Sequence, residues 1–300
     1  MTSSPYVNPP AWLNDYLRQR ASSASQHSDF QCDPACSRPG CKNPDLQIPV
    51  SVVDLLGASR YLNEPVSAIY RRYHTLGLFT NDRDDWLRTV TVRLKKPCPF
   101  LKDDLCGLYP VRPLPCMLFP EYLVSRGTFA AHAAKDQFRD YLCLREPLQI
   151  SPERANVVRK MRTRFERELL LSSYYLFNDG LCHIDFSNLI EELSPAGENA
   201  GSAKPDELAE PQRFLTNQDL EQFFRERLAK LSPFDGADDK IGHLDTPEGQ
   251  ETFFKLWQDE LLLKKLRQYG DDRALVFQFV KGKLKARRRG IIPAEYKFSW

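Results

Sequence analysis

The chain reads as a mainly α protein with a small irregular β element: a cysteine-ligated, metal-centred domain followed by a helical C-terminal region. Three observations lead there. Six of the eight cysteines fall in two tight, proline-flanked groups. From Ser151 onward apolar residues recur at helical spacing. Past a Pro/Gly/Ser/Ala-rich stretch, helix-start signals return. A chain of 300 residues holds one or two domains.

Composition narrows the function classes. Hydrophobic residues make up 42%, enough for an ordinary core. Lys and Arg number 42 against 40 Asp and Glu, a net charge of +2. That balance excludes a histone-like chain but permits a local basic patch. No apolar run approaches the roughly 18–20 residues of a membrane helix, so no membrane partner is expected. Met1-Thr2-Ser3-Ser4-Pro5 shows no secretory pattern, which predicts a cytoplasmic protein. In a reducing compartment, clustered cysteines more often ligate metal or do redox chemistry than form disulfides.

Taken in order, residues 1–31 read as a flexible leader with one short helix around Trp12–Arg20. Residues 32–193 form the cysteine-cluster domain with its trailing long helix. Within it Ser51 is a plausible N-cap, with Asp54 at the third helical position. A second helix starts near Glu64-Pro65 and runs to Tyr73. Thr89–Leu94 alternates and is β-branched, a strand leading into Cys98. Tyr122–Val124 and Thr128–Ala130 flank Ser125-Arg126-Gly127, which predicts a hairpin. Ser151 caps and Pro152 opens a helix carrying Val157, Met161, Phe165 and Leu169, running to near Phe177. Residues 194–212 read as a linker. Residues 213–300 read as helical: Thr216 and Asp219 make a capping pair, and Thr246-Pro247 starts a helix that Gly270 stops.

The chemistry lies in two triplets, Cys32-x3-Cys36-x4-Cys41 and Cys98-x7-Cys106-x9-Cys116. The first sits in a segment whose Asp33-Pro34 and Arg38-Pro39-Gly40 argue against helix. In the second, Lys102-Asp103-Asp104 is a turn signal that folds Leu101 back toward Leu105, so that Cys98 and Cys106 can close on one centre. Pro97, Pro99, Pro110, Pro113 and Pro115 reduce the entropy lost on ordering the ligands. Phe100, Leu101, Leu108 and Phe119 would supply a dry shell. Buried structural thiols would account for one or two cysteines, but fit six in two turn-flanked groups poorly.

The run Cys98-Pro-Phe-Leu…Cys106-x-x-Tyr109-x-x-Arg112-Pro113-x-x-Cys116-x-x-Phe119-Pro120 resembles the YkgJ-type cysteine-cluster family of zinc- or iron-chelating domains. Ile48-Pro49-Val50-Ser51, Asp54-Leu55 and Tyr61-Leu62 extend the likeness over about residues 30–147. By that resemblance Cys143 is a further ligand, although periodicity alone makes it a core residue. The family usually closes its first cluster with a Cys-Cys pair. Here Lys42 follows Cys41, so eight thiolates become seven: Cys32, Cys36, Cys41, Cys98, Cys106, Cys116 and Cys143. Flagellin lysine N-methylases carry a similar cysteine arrangement, which gives a cluster-dependent protein methyltransferase as an alternative.

An all-thiolate set suits a zinc ion or a [4Fe-4S] cluster and disfavours magnesium and calcium. Spacing does not separate the two, nor one centre from two. Arg112, held next to Pro113 near the cluster, can hydrogen-bond thiolates, an anionic partner or backbone carbonyls. Cys182-His183 reads as packing, and His27, His74 and His132 as surface or loop residues. The stretch Lys281-x-Lys283-x-Lys285-x-Arg287-Arg288-Arg289 reads first as a solvated helix end and second as a nucleic-acid contact. Ile291-Ile292-Pro293 to Trp300 is apolar enough to dock back on the protein. The C-terminal helices either cover the metal centre or bind a protein partner.

Overall fold

The computed structural model of the chain describes residues 11–31, 35–80, 87–135, 138–186, 217–231, 234–272, 274–280 and 283–289. It is mostly helical with a small mixed sheet. The linker at 194–212 and the segment 291–300 lie outside the described residues.

Helix α1 (Ala11–Ser25) is part of the core. Leu13 and Arg20 are buried in it, which corrects the expectation of a loosely held leader for these residues. A single helical turn, α2 (Pro39–Lys42), follows, with Pro39 at its first position. Proline there gives up only an N–H that would be orphaned anyway, so Arg38-Pro39-Gly40 admits one turn where none was expected. Strand β1 (Pro49–Val50) leads to α3 (Val52–Leu62). Ser51 and Asp54 make a reciprocal capping box at its start, as their spacing predicts. Helix α4 (Val66–Tyr73) runs directly into β2 (His74–Thr80), which pairs antiparallel with β3 (Leu87–Leu94).

Strand β3 is the hub of the sheet. One of its edges takes β2 along its whole length. Its first half also pairs antiparallel with β6 (Cys182–Asp185), and Val92 and Arg93 pair with β1. Beyond β6 lie β7 (Ala274–Val280), in parallel, and β8 (Lys283–Arg289), antiparallel to β7. The C-terminal region is therefore not purely helical: its last two strands complete a sheet begun by the cysteine-bearing half. The expected basic helix end is instead β8. Alternating Lys, Leu, Lys and Ala at 283–286 suits strand period better than helix period.

One apolar core joins α3, α4, the sheet and the C-terminal helices through residues such as Val53, Leu55, Ile69, Val90, Ile184, Phe224, Phe253 and Phe277. This core organises the fold and includes Cys182, whereas Cys98 and Cys106 are only partly buried against it. Helix α8 (Pro152–Phe177) keeps its expected bounds, with Ser151 as N-cap, and buries Met161, Phe165 and Leu169 on one face. The hairpin expected around Ser125-Arg126-Gly127 is instead a link between two short helices, α6 (Glu121–Ser125) and α7 (Phe129–Ala133). Glu121 is held there by a buried bidentate pair to Arg154, and this anchor favours helix over strand. Gly270 does not end a helix. The run breaks earlier, between Pro247–Gln258 and Glu260–Asp272, at Asp259.

The outer edge of β2 is closed by charge. Leu78 N–H donates to Glu221 Oε2 at 3.0 Å, Leu78 C=O accepts from Arg93 Nη1 at 3.0 Å, and Arg93 pairs with Glu221 at 2.9 Å. With the Leu78 N–H and C=O taken in this way, strand addition is blocked at that point of the edge. Gly77 makes the room, because a Cβ there would collide with the Glu221 carboxylate and the Arg93 guanidinium. Gly77→Ala is expected to destabilise the protein by about 1–3 kcal/mol, read as a lower urea midpoint at unchanged slope.

Candidate metal centre

Four of the cysteines, Cys41, Cys98, Cys106 and Cys116, line one groove. Cys41 is the third residue of the α2 turn, and its C=O accepts from Cys98 N–H at 2.7 Å. Lys96 Nζ donates to Gly40 C=O at 2.5 Å beside that bond, so the two segments are stitched together by main chain. The predicted fold-back at Lys102-Asp103-Asp104 is a two-residue hairpin between β4 (Leu101–Lys102) and β5 (Leu105–Cys106). Asp103 and Asp104 sit at φ 49° and 57°, the left-handed pair of a type I′ turn. Because glycine escapes the left-handed cost of roughly 1–2 kcal/mol, Asp104→Gly is expected to raise stability, less the small contribution of the exposed Asp104–Lys42 bridge, measured as a higher melting temperature. Cys116 enters from a third segment, α5 (Leu114–Leu118), whose start is fixed by Pro113 and Pro115.

These four thiols act on one another electrostatically, each on at least two of the rest. The hydrogen bond between Cys41 and Cys98 holds the Cys41 thiol well above its ordinary range, with burial adding to the effect. The same bond lowers Cys98, with burial opposing. Burial raises Cys106 and pushes Cys116 up to about 12. Three cations favour the thiolates: Lys96 acts on Cys41, Cys98 and Cys116, Arg112 on Cys106 and Cys116, and Arg38 on Cys41. Arg112 lies over the Tyr109 ring at 4.1 Å, and its buried Nε has no hydrogen-bond partner. An orphaned donor within electrostatic reach of two thiols is a group that a thiolate acceptor would satisfy. Sequence reasoning singled out Arg112 but missed Lys96, although Lys95-Lys96-Pro97 directly precedes Cys98.

The other three expected ligands are not part of this set of four. Cys32 lies outside the described residues. Cys36 is buried and does not line the groove on which the four thiols open. Cys143 is partly buried in a separate apolar cluster with Leu123, Phe138, Tyr141 and Leu144. Tyr141 feels both Cys143 and Cys41, while its ring supports the α2 turn at Gly40. Cys182 is fully buried in β6, as a packing residue should be, and the neighbouring His183 contacts Thr89 Oγ1 through Nδ1 at 3.0 Å. His74 and His132 are buried rather than on the surface. Their Nδ1 atoms contact the Ile69 and Thr128 carbonyls at 3.2 and 2.9 Å.

Among the described residues, no group of three or more His, Cys, Asp or Glu side chains is arranged to hold a metal ion. The four-thiol set is thus a fit of donor chemistry, position and counter-charge, without a converged coordination sphere. No described helix is long and apolar enough to cross a membrane. Comparison with family models, curated proteins and solved structures yields no match to this chain.

Proposed function

We propose that this is a metal-binding protein that ligates zinc or an iron–sulfur cluster through Cys41, Cys98, Cys106 and Cys116. The carrying observation is that four thiols from three segments line one groove, within electrostatic reach of one another and of three cations. Four thiolates around a zinc ion or a [4Fe-4S] dication leave a double negative charge, which Lys96, Arg112 and Arg38 would offset. Soft sulfur donors favour both groups over hard cations. A zinc ion would supply a cross-link between the three segments, and a cluster would add one-electron transfer. The chain's own part is to hold the segments together through the Cys98–Cys41 main-chain bond and to set the hairpin with its type I′ turn. Membership of the YkgJ-type family belongs to the same proposal, as does a reducing, cytoplasmic setting in which these cysteines stay free.

Metal content by mass spectrometry on anaerobically purified protein tests the reading. Near-stoichiometric zinc in colourless protein, or iron with sulfide in brown protein, is the expected result. Protein that holds neither, even after anaerobic reconstitution with each, would refute it.

A further inference from the structure

Two of the four thiols are joined more closely than the rest. The Cys98 N–H donates to the Cys41 C=O at 2.7 Å. Standard covalent geometry at either end of that bond holds the two Cα atoms within about 6.6 Å of each other. A disulfide spans Cα separations of roughly 4.4–6.8 Å, so this backbone can be bridged with little movement. The side chains suit it too: both line the groove, and the two thiols hydrogen-bond to each other. Lys96 Nζ, bonded to the Gly40 C=O at 2.5 Å, pins the backbone next to the pair. Among the described residues no other two cysteines share a main-chain bond. Cys106 pairs instead with Leu101, and Cys116 belongs to α5. Neither Cys41 nor Cys98 is fully buried, and the groove gives a small oxidant its way in.

We propose that Cys41 and Cys98 form a reversible disulfide, which makes the four-thiol site a peroxide-responsive switch. The oxidant is a hydroperoxide, hydrogen peroxide in the simplest case. The sulfur of one cysteine, as thiolate, attacks the O–O bond and becomes a sulfenic acid, and the departing hydroxide takes up a proton to leave as water. The sulfur of the other then attacks the sulfenic sulfur. The S–S bond forms, the S–OH bond breaks, and the hydroxyl leaves with the thiol proton as a second water. Two thiols have then lost two electrons and two protons, and one hydrogen peroxide has become two waters. A dithiol reductant reverses the step by thiol–disulfide exchange. Disulfides in a reducing compartment are usually transient and redox-sensing, which fits a bridge made and broken in this way. The effect on metal rests on the metal-binding proposal above. A disulfide sulfur no longer donates as a thiolate, so the bridge removes two of four ligands and releases the ion. The bridge itself needs only the two cysteines.

The test treats the full chain as purified with stepwise additions of hydrogen peroxide. Remaining thiols are blocked by alkylation, and disulfides are mapped by peptide mass spectrometry. The Cys41–Cys98 bridge is expected to form first, with the loss of two alkylatable thiols, and dithiothreitol should restore both. Zinc or iron released to a chromogenic chelator should rise in step with the bridged peptide. Cys41→Ser should lose the bridge completely and leave Cys98 as a sulfenic acid that dimedone traps. Cys36→Ser and Cys143→Ser, whose side chains are outside the groove, should form the same bridge at the parent rate, and they keep the assay decisive if Cys41→Ser does not fold. A first disulfide between any other two cysteines, or oxidation to sulfinic acid with no bridge, would overturn the proposal. Metal retained by fully bridged protein would overturn the switch. The same bridge in protein that binds no metal would uphold the pair while the metal reading fails.

Discussion

Cys98→Ser and Cys116→Ser are each expected to abolish bound metal and to lower the melting temperature by roughly 10 °C or more. Structural zinc supplies on the order of 10 kcal/mol to the folding of small domains. Here only the rim of a larger core depends on the site, so a loss of several kcal/mol is the reasonable scale, at about 2–4 °C each for a chain of this size. Cys41→Ser and Cys106→Ser should behave alike. Cys36→Ser and Cys143→Ser are expected to keep the metal, because neither side chain lines the groove of the four thiols. Metal analysis and thermal scans on the six variants decide between the sets. If Cys143→Ser also empties the protein, the seven-thiolate set implied by the family resemblance replaces the four-thiol one. Should all six retain metal, sulfur ligation itself is wrong.

What could be read from the sequence was local. Ser51 with Asp54, Ser151 with Pro152, and the Asp103-Asp104 turn each fix a few dihedral angles from neighbouring residues, and each was legible. The approach of Cys41 to Cys98 was not: the two cysteine groups were read as one ligand set, but the main-chain bond that joins them has no local signal. The misses were contests between local preference and distant partners. Ser125-Arg126-Gly127 carries a hairpin signal, but Glu121 beside it is pinned by Arg154 from the long helix. Trp12–Arg20 sits in a polar, serine-flanked stretch that suggests a loose end. Its Arg20 is nevertheless buried, because Asp54 and Glu168 wait for it on two other helices. Strands β7 and β8 follow a long helical stretch, and nothing local announces that they rejoin a sheet built some 90 residues earlier. Buried charge has no signature of its own in one sequence, since an arginine reads the same whether or not a carboxylate meets it.

That buried charge sets up the second large effect. Arg20 is 1% exposed and bonds Asp54, while its Nη1 lies 3.4 Å from Glu168 Oε2. Tyr16 donates to Glu168 Oε1 at 2.6 Å, and Ser51 Oγ lies 2.9 Å from both Glu168 Oε2 and Asp54 Oδ2, sharing one proton between them. Two carboxylates thus compete for one guanidinium in a dry site. Burial raises Glu168 from 4.5 to about 7, against the pull of Arg20 and with the Asp54 charge adding to the rise. Arg20→Leu leaves the two acids without their cation and is expected to cost about 3–5 kcal/mol. The sign of the pH dependence follows from linkage. Glu168 binds its proton more tightly folded than unfolded, so its contribution is fully present below pH 4.5 and is lost as pH rises through about 7. Without Arg20 the Glu168 pKa rises further, so the deficit of Arg20→Leu should be larger at pH 8 than at pH 5. Glu168→Gln removes the titrating group and keeps its shape. Relative to the parent it should therefore gain up to about 3 kcal/mol between pH 5 and pH 8. Urea unfolding of parent and variant at the two pH values measures this difference directly. Parallel stability profiles would mean that Glu168 stays ionised in the folded protein and that Arg20 fully satisfies both acids.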